Sequence, residues 1–274
     1  ACQIAMNSIV TVISNILAIY RRELQSYFAS PLAYGIATIF WLLAGFLLVI
    51  LVFGPQGILA QSAFADQAGL QSAPLDLPYE FTQFYLGLLG SLAMFILPAL
   101  SMGLYTEERK QGTLELLATS PIANWAVALG KLLGVVTFFL TMVLPLLVLE
   151  SLIVGASDPP FDLQLLFLGH AGLILLAASV LSLGMFISSL TESTVLAAIL
   201  TFALVLVLFV VEGVADGIPG PIGEAIGHLS LLKHYNNFTQ GVFDISGLIL
   251  FLSYVVLGLF LTAQSIEAFR FQRS

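Results

Sequence analysis

Long apolar runs alternate with short polar breaks along the chain, and the breaks define six membrane crossings. Residues 32–53 carry no charge, and at about 1.5 Å of helix per residue such a run crosses a hydrocarbon core of about 30 Å. Further runs cover 81–105, 124–149, 163–190, 194–211 and 245–263, with Pro98 expected to kink the second. The first connection, 54–78, reads as a loop of Gly, Gln, Ser, Ala and Pro. Shorter turns are expected at 157–162 and 191–193.

Two stretches depart from this alternation. Ahead of the first run, Ile9, Ile13, Ile16, Tyr20, Leu24 and Phe28 recur every three or four residues, with Asn15, Arg21, Arg22 and Gln25 among the positions between. That period predicts an amphipathic helix over 1–30 lying in the membrane interface and closed by Pro31, the frayed start of the first span being the alternative. Arg21 and Arg22 follow the apolar residues rather than precede them, which speaks against a secretory signal. Between the fifth and sixth runs, Gly217, Pro219, Gly220, Pro221 and Gly223 break any helix. Two short helices, 222–232 and 235–243, are expected on either side of Lys233-His234. Broken backbone at membrane depth needs cover from protein or water. Residues 217–244 therefore read as a re-entrant outer hairpin, a lid using Pro219, Pro221, His228, His234, Tyr235 and Phe238, or else as a plain outer loop.

Charge is densest in one place, 106–121, reading TEERKQGTLELLATSP. Glu107, Glu108, Arg109 and Lys110 follow one another where the second span leaves the membrane. Gly112 is placed to stop that helix, and Thr113 to cap a new one. Leu114, Leu116 and Leu117 then form an apolar patch beside Glu115, and Ser120-Pro121 ends the segment. An ordinary polar loop is the alternative, although a loop seldom carries its own capped amphipathic helix.

Composition settles the class. The 274 residues are 59% hydrophobic and 9% charged, against roughly 45–50% and 25% in soluble domains; the chain reads as an all-α integral membrane protein. A net charge of −8 without a cluster of Lys and Arg excludes a nucleic-acid surface. Cys2, the one cysteine, supports neither an internal disulfide nor a thiolate zinc site and is expected to be incidental. Of the eight basic residues, Arg21, Arg22, Arg109, Lys110, Lys131, Arg270 and Arg273 fall on one side and Lys233 on the other. The basic side is expected to be cytoplasmic, with both termini there. The acids Asp66, Asp76, Glu80, Asp158, Asp162, Asp216 and Glu224 then face out.

Catalytic chemistry is not legible. Gly130-Lys131 is followed by Leu132, and Trp125 stands where a phosphate-cradling loop needs its first glycine, so no nucleotide site is expected. No cofactor or metal is expected on this chain: His170, His228 and His234 lack the spacing of a helical metal pair, and interfacial hydrogen bonding accounts for them. Ionisable residues sit at span ends rather than centres, which argues against a proton- or sodium-driven carrier. Small residues at Ser193, Ala197 and Thr201 make a close-packing row, a candidate dimer seam or a packing face within one subunit.

Residues 108–121, ERKQGTLELLATSP, resemble the signature of ABC-2-type transporter permeases. There an acid, a Gly-Thr pair, a Glu, a Leu pair and a Pro follow in this order. YRRELQSYFASPLAY at 20–34 and LSLLKHYNNFTQGVFDISGLI at 229–249 resemble the start and outer hairpin of the gliding-motility and copper-enzyme-maturation branch. The resemblance implies six spans after an interfacial helix, thus segments 1–30 and 31–274, in the inner membrane. It also implies that 113–119 is a coupling helix docking into a separate ATPase, approached by Glu107, Glu108, Arg109 and Lys110. ATP and Mg would lie on that partner. Two ATPases and a second permease half, identical or paralogous, complete the implied assembly. Its work would be export of an amphipathic or polymeric substrate. The alternative is mechanical transmission to a periplasmic or outer partner without substrate passage. A stand-alone secondary carrier or membrane enzyme is a third reading.

Overall fold

A computed structural model of the protein describes residues 2–67, 77–113, 122–156 and 163–271, and every regular element among them is a helix. In chain order these are α1 (Cys2–Ala29), α2 (Pro31–Phe53), α3 (Ile58–Gln67), α4 (Leu77–Ser101), α5 (Gly103–Lys110), α6 (Asn124–Gly155), α7 (Leu163–Leu190), α8 (Thr194–Asp216), α9 (Pro221–Gly227), α10 (Leu231–Thr239) and α11 (Ile245–Phe271). Six stretches are long and apolar enough to cross a membrane. They begin at α2, α4, α6, α7, α8 and α11, as the apolar runs predict. The first connection is no plain loop, because α3 occupies its first half.

The bundle is built around α7, which packs against α4, α5, α6, α8, α10 and α11. Small residues make those approaches close. A side chain at Gly184 would collide with Ser101 of α4 and with Thr201 of α8. Gly258 of α11 lies so near Ser182 that an added Cβ would stand 2.6 Å from its backbone carbon. The small-residue row on α8 enters this packing: Ala197 and Thr201 are fully buried inside the chain, and Ser193 serves as the α8 N-cap, accepting from the Leu196 N–H. Ala197 and Thr201 face the subunit's own helices, the packing face that the sequence left open beside a seam, while Ser193 is exposed.

Helix α1 runs alongside α6 in the same direction. Gly130, Gly134 and Phe138 meet Ile19, Glu23 and Tyr27 in turn, the last pair with stacked rings 5.1 Å apart. Arg21 and Arg22 stay exposed. The Tyr27 hydroxyl donates to the Leu100 carbonyl (2.7 Å) and ties α1 to α4.

The second span is interrupted at Met102, not at Pro98. Ser188 of α7 repairs the break: its hydroxyl donates to Met102 O (3.0 Å) and accepts from the N–H groups of Tyr105 (2.9 Å) and Thr106 (3.2 Å). A buried helix break is tolerated when such partners satisfy the freed backbone.

At the opposite end of the bundle, α9 and α10 meet at 228–230 rather than at Lys233-His234. The Ser230 hydroxyl accepts from the Lys233 N–H and starts α10 ahead of that pair. Buried Tyr235 and Phe238 dock α10 between α4 and α7, where Gly90 and Gly172 leave room for their rings. The Tyr235 hydroxyl donates to Leu86 O at 2.6 Å. Pro219, Pro221 and His228 lie on the exposed side, as do Ile222, Leu229, Val242 and Phe243. One half of the hairpin is thus anchored in the bundle, and the other faces away from it.

Candidate functional site at the basic end of the bundle

Five helices and one turn contribute to a polar cluster beneath the segment that begins at Thr106. Lys131, on α6, is 4% exposed. Its ammonium donates to Glu23 of α1 (3.0 Å) and to the Leu104 carbonyl of α5 (2.8 Å), and lies 3.1 Å from Glu108 Oε1 of α5. It also sits 5.0 Å from the Tyr105 ring centroid. All three N–H bonds of the ammonium have partners there, which is what lets a lysine stand inside an apolar bundle. Two carboxylates answer one ammonium, so the cluster holds a net negative charge.

Arg109 makes the second half of the cluster. Its guanidinium donates to Ser189 O of α7 (2.6 Å) and lies 3.7 Å from Glu192 in the turn before α8. The group is 4.8 Å from the centroid of Phe269 on α11, the flat cation-over-ring contact that suits a guanidinium. Lys131 and Arg109 together wire α1, α5, α6, α7, α11 and the α7–α8 turn to a single short helix.

That helix ends in a complete glycine stop. Gly112 has φ +71°; its N–H donates to Arg109 O (3.2 Å), and that of Thr113 to Glu108 O (3.0 Å), the paired bonds of a Schellman ending. The Thr113 hydroxyl turns back and donates to Glu108 O (3.2 Å). It closes the helix behind it; the helix ahead that the sequence expects it to cap lies outside the described residues. Leu114, Glu115, Leu116 and Leu117, with the rest of 114–121, lie outside the described residues.

Among the expected approach residues, Glu108 and Arg109 enter the cluster, while Glu107 and Lys110 lie outside its ion pairs. Sequence reasoning missed Glu23 and Glu192 and took Lys131 as a marker of orientation only. The available signal was spacing: Gly130 and Gly134 bracket Lys131 on α6 and mark where α1 comes close.

A second polar group sits at the far end. His234 Nδ1 lies 2.7 Å from Asp244 Oδ2, which also accepts from Asn237 (2.9 Å), while Asp244 Oδ1 accepts from the Ser246 N–H (2.9 Å). Burial alone would raise the Asp244 pKa, but the hydrogen bonds from His234, Asn237 and the Gly247 backbone outweigh it and hold it at about 2. The folded value lies below the unfolded value of about 3.9, so this contribution is complete above about pH 4 and is lost as pH falls through about 2. Acid should therefore loosen the α10–α11 junction across that window. Asp244→Asn should remove the step from a series of thermal midpoints measured against pH; an unchanged acid limb would contradict the assignment.

Comparison with curated proteins finds no match to this chain. The model of one protein family, described as ABC-2 type transporter, matches residues 14–243. The chain belongs to the ABC-2 type transporter family. It is a multi-pass membrane protein and the permease subunit of an ABC transporter. ABC-2 membrane domains are generally not catalytic themselves, and the family implies association with an ABC ATPase. The match spans α1's second half through α10, and so takes in the whole cluster around Lys131 except Phe269.

Proposed function

We propose that the chain is one permease half of an ATP-driven exporter, with residues 113–119 as the helix that docks into the ATPase. The observation that carries this reading is the wiring of α5: Lys131 and Arg109 link the root of that segment to five other parts of the bundle. A movement delivered at 113–119 would reach them together. ATP and Mg belong to the ATPase, present in two copies with a second permease half.

Passage of an amphipathic substrate, rather than purely mechanical transmission, is favoured by a cleft of about 1000 Å³ at the end opposite the cluster. Apolar Phe81, Phe84 and Leu88 line it together with polar Gln83, Asn236 and Gln240. A wall of both kinds suits a molecule with a polar head and an apolar body. The hairpin of α9 and α10 would act as its lid. The Lys131 end, with both termini, would face the cytoplasm.

Cysteine accessibility in intact cells tests this placement. After replacement of Cys2, a cysteine at Ser72 should label from outside and one at Gln111 should not; the reverse pattern would overturn the orientation. Co-purification of an ATPase with the full-length chain separates this function from that of a stand-alone carrier, which retains none.

A further inference from the structure

Glu150 directly follows the third apolar run, 124–149, but α6 continues to Gly155 and Glu150 is fully buried. Both carboxylate oxygens lack a hydrogen-bond partner among the described residues, and Oε1 lies 3.3 Å from Nε2 of His170 on α7. His170 is itself only 5% exposed. Its other nitrogen, Nδ1, lies 3.0 Å from Leu166 O. A carbonyl oxygen only accepts, so Nδ1 carries a hydrogen. In the neutral ring Nε2 then presents a lone pair to Glu150. The contact is attractive only with one proton in it, on Oε1 as a carboxylic acid or on Nε2 as an imidazolium. Both arrangements are neutral overall. Without that proton, a bare carboxylate faces a lone pair in a site closed to water, a costly arrangement.

Among the described residues the neighbours offer no substitute. Tyr85 of α4 and Tyr235 of α10 are both fully buried, and their hydroxyls donate to Ala44 O and Leu86 O. On α11, Tyr254 donates to Leu229 O. His234 and Asp244 pair with each other, and Lys131 lies about 28 Å away along α6 at about 1.5 Å per residue.

We propose that Glu150 and His170 form a proton-binding site that latches α6 to α7 at the end of the bundle opposite Lys131. While the helices stay packed, the proton moves between Oε1 and Nε2 without changing the site's charge. When they part and water enters, carboxylate and imidazole are solvated separately and the proton leaves to water. Proton binding and helix packing are thereby linked, each favouring the other. The site follows from the geometry of this chain; its use in a transport cycle rests on the export reading above.

The test uses the full-length chain in lipid nanodiscs without ATPase, so that its failure is distinct from failure of the export reading. At neutral pH, the expected result is one of two signatures. Either an infrared carboxylic-acid carbonyl band disappears in Glu150→Gln, or the nitrogen resonances of a doubly protonated histidine disappear in His170→Gln. An ionised Glu150 opposite a singly protonated His170 would overturn the proposal. Thermal midpoints give an independent reading. The parent should lose stability as rising pH removes the proton, whereas Glu150→Gln, of the same shape and unable to ionise, should lose that alkaline step entirely. The same alkaline step in parent and Glu150→Gln would also overturn it.

Discussion

Lys131→Met should lower the stability of the folded chain by about 3–5 kcal/mol, the usual cost of removing one partner from a buried ion pair. The substitution keeps most of the side-chain volume, so packing against Tyr105 changes little. Glu23 and Glu108, at 15% and 13% side-chain exposure, would then face each other as uncompensated carboxylates, and the Leu104 carbonyl would lose its donor. Adding Glu23→Gln and Glu108→Gln to Lys131→Met should recover most of the loss, because the repulsion disappears with the charges. Unfolding midpoints in detergent micelles provide the comparison. A triple variant no more stable than the single one would mean that volume and shape at position 131, rather than charge, hold α1 and α5 to α6.

The contrast between Lys131 and the six spans explains what a sequence can disclose. Apolar runs are local, and each crossing was legible from its own residues; so was the stop at Gly112, which needs only a glycine after a charged last turn. Partnership across the bundle is not local. Lys131 and Glu23 are 108 positions apart, and Arg109 and the Ser189 carbonyl 80. Gly130 and Gly134 mark that some helix comes close to α6 there, but nothing in the period of either helix names the partner. Glu150 reads as a span end for the same reason, since only the fold shows that His170 lies opposite and lets α6 run on to Gly155. The row Ser193, Ala197 and Thr201 was left with two readings for a different reason. Small residues do mark a close approach, but the pattern carries no information on whether the approaching helix belongs to the same chain.

The second large effect is expected in the segment rooted in that cluster. Leu117→Asp should strip the ATPase from the membrane, and Glu115→Lys should leave it bound while uncoupling hydrolysis from transport. A patch of Leu114, Leu116 and Leu117 is costly to leave in water and favourable in a groove of a partner protein, where one introduced carboxylate would have to be buried unpaired. Glu115, beside the patch, is placed to meet a basic group of the ATPase, and truncating one partner of a desolvated charge pair typically costs about 2–5 kcal/mol. Both variants should retain the parent's unfolding midpoint, which separates lost docking from lost folding. Parent-level co-purification and coupled hydrolysis in both would remove the coupling role from 113–119.

If force enters this protein at 113–119 and passes through α5 into the bundle, the ATPase must touch that segment. A photo-cross-linking amino acid placed at Leu117, and as a control at exposed Ile222 on α9, can be activated in cells that express the full complex. The Leu117 probe should form a covalent adduct with the ATPase, and the Ile222 probe should form none. Adducts from Leu117 to lipid or to permease alone, with the ATPase captured from Ile222 or not at all, would contradict it.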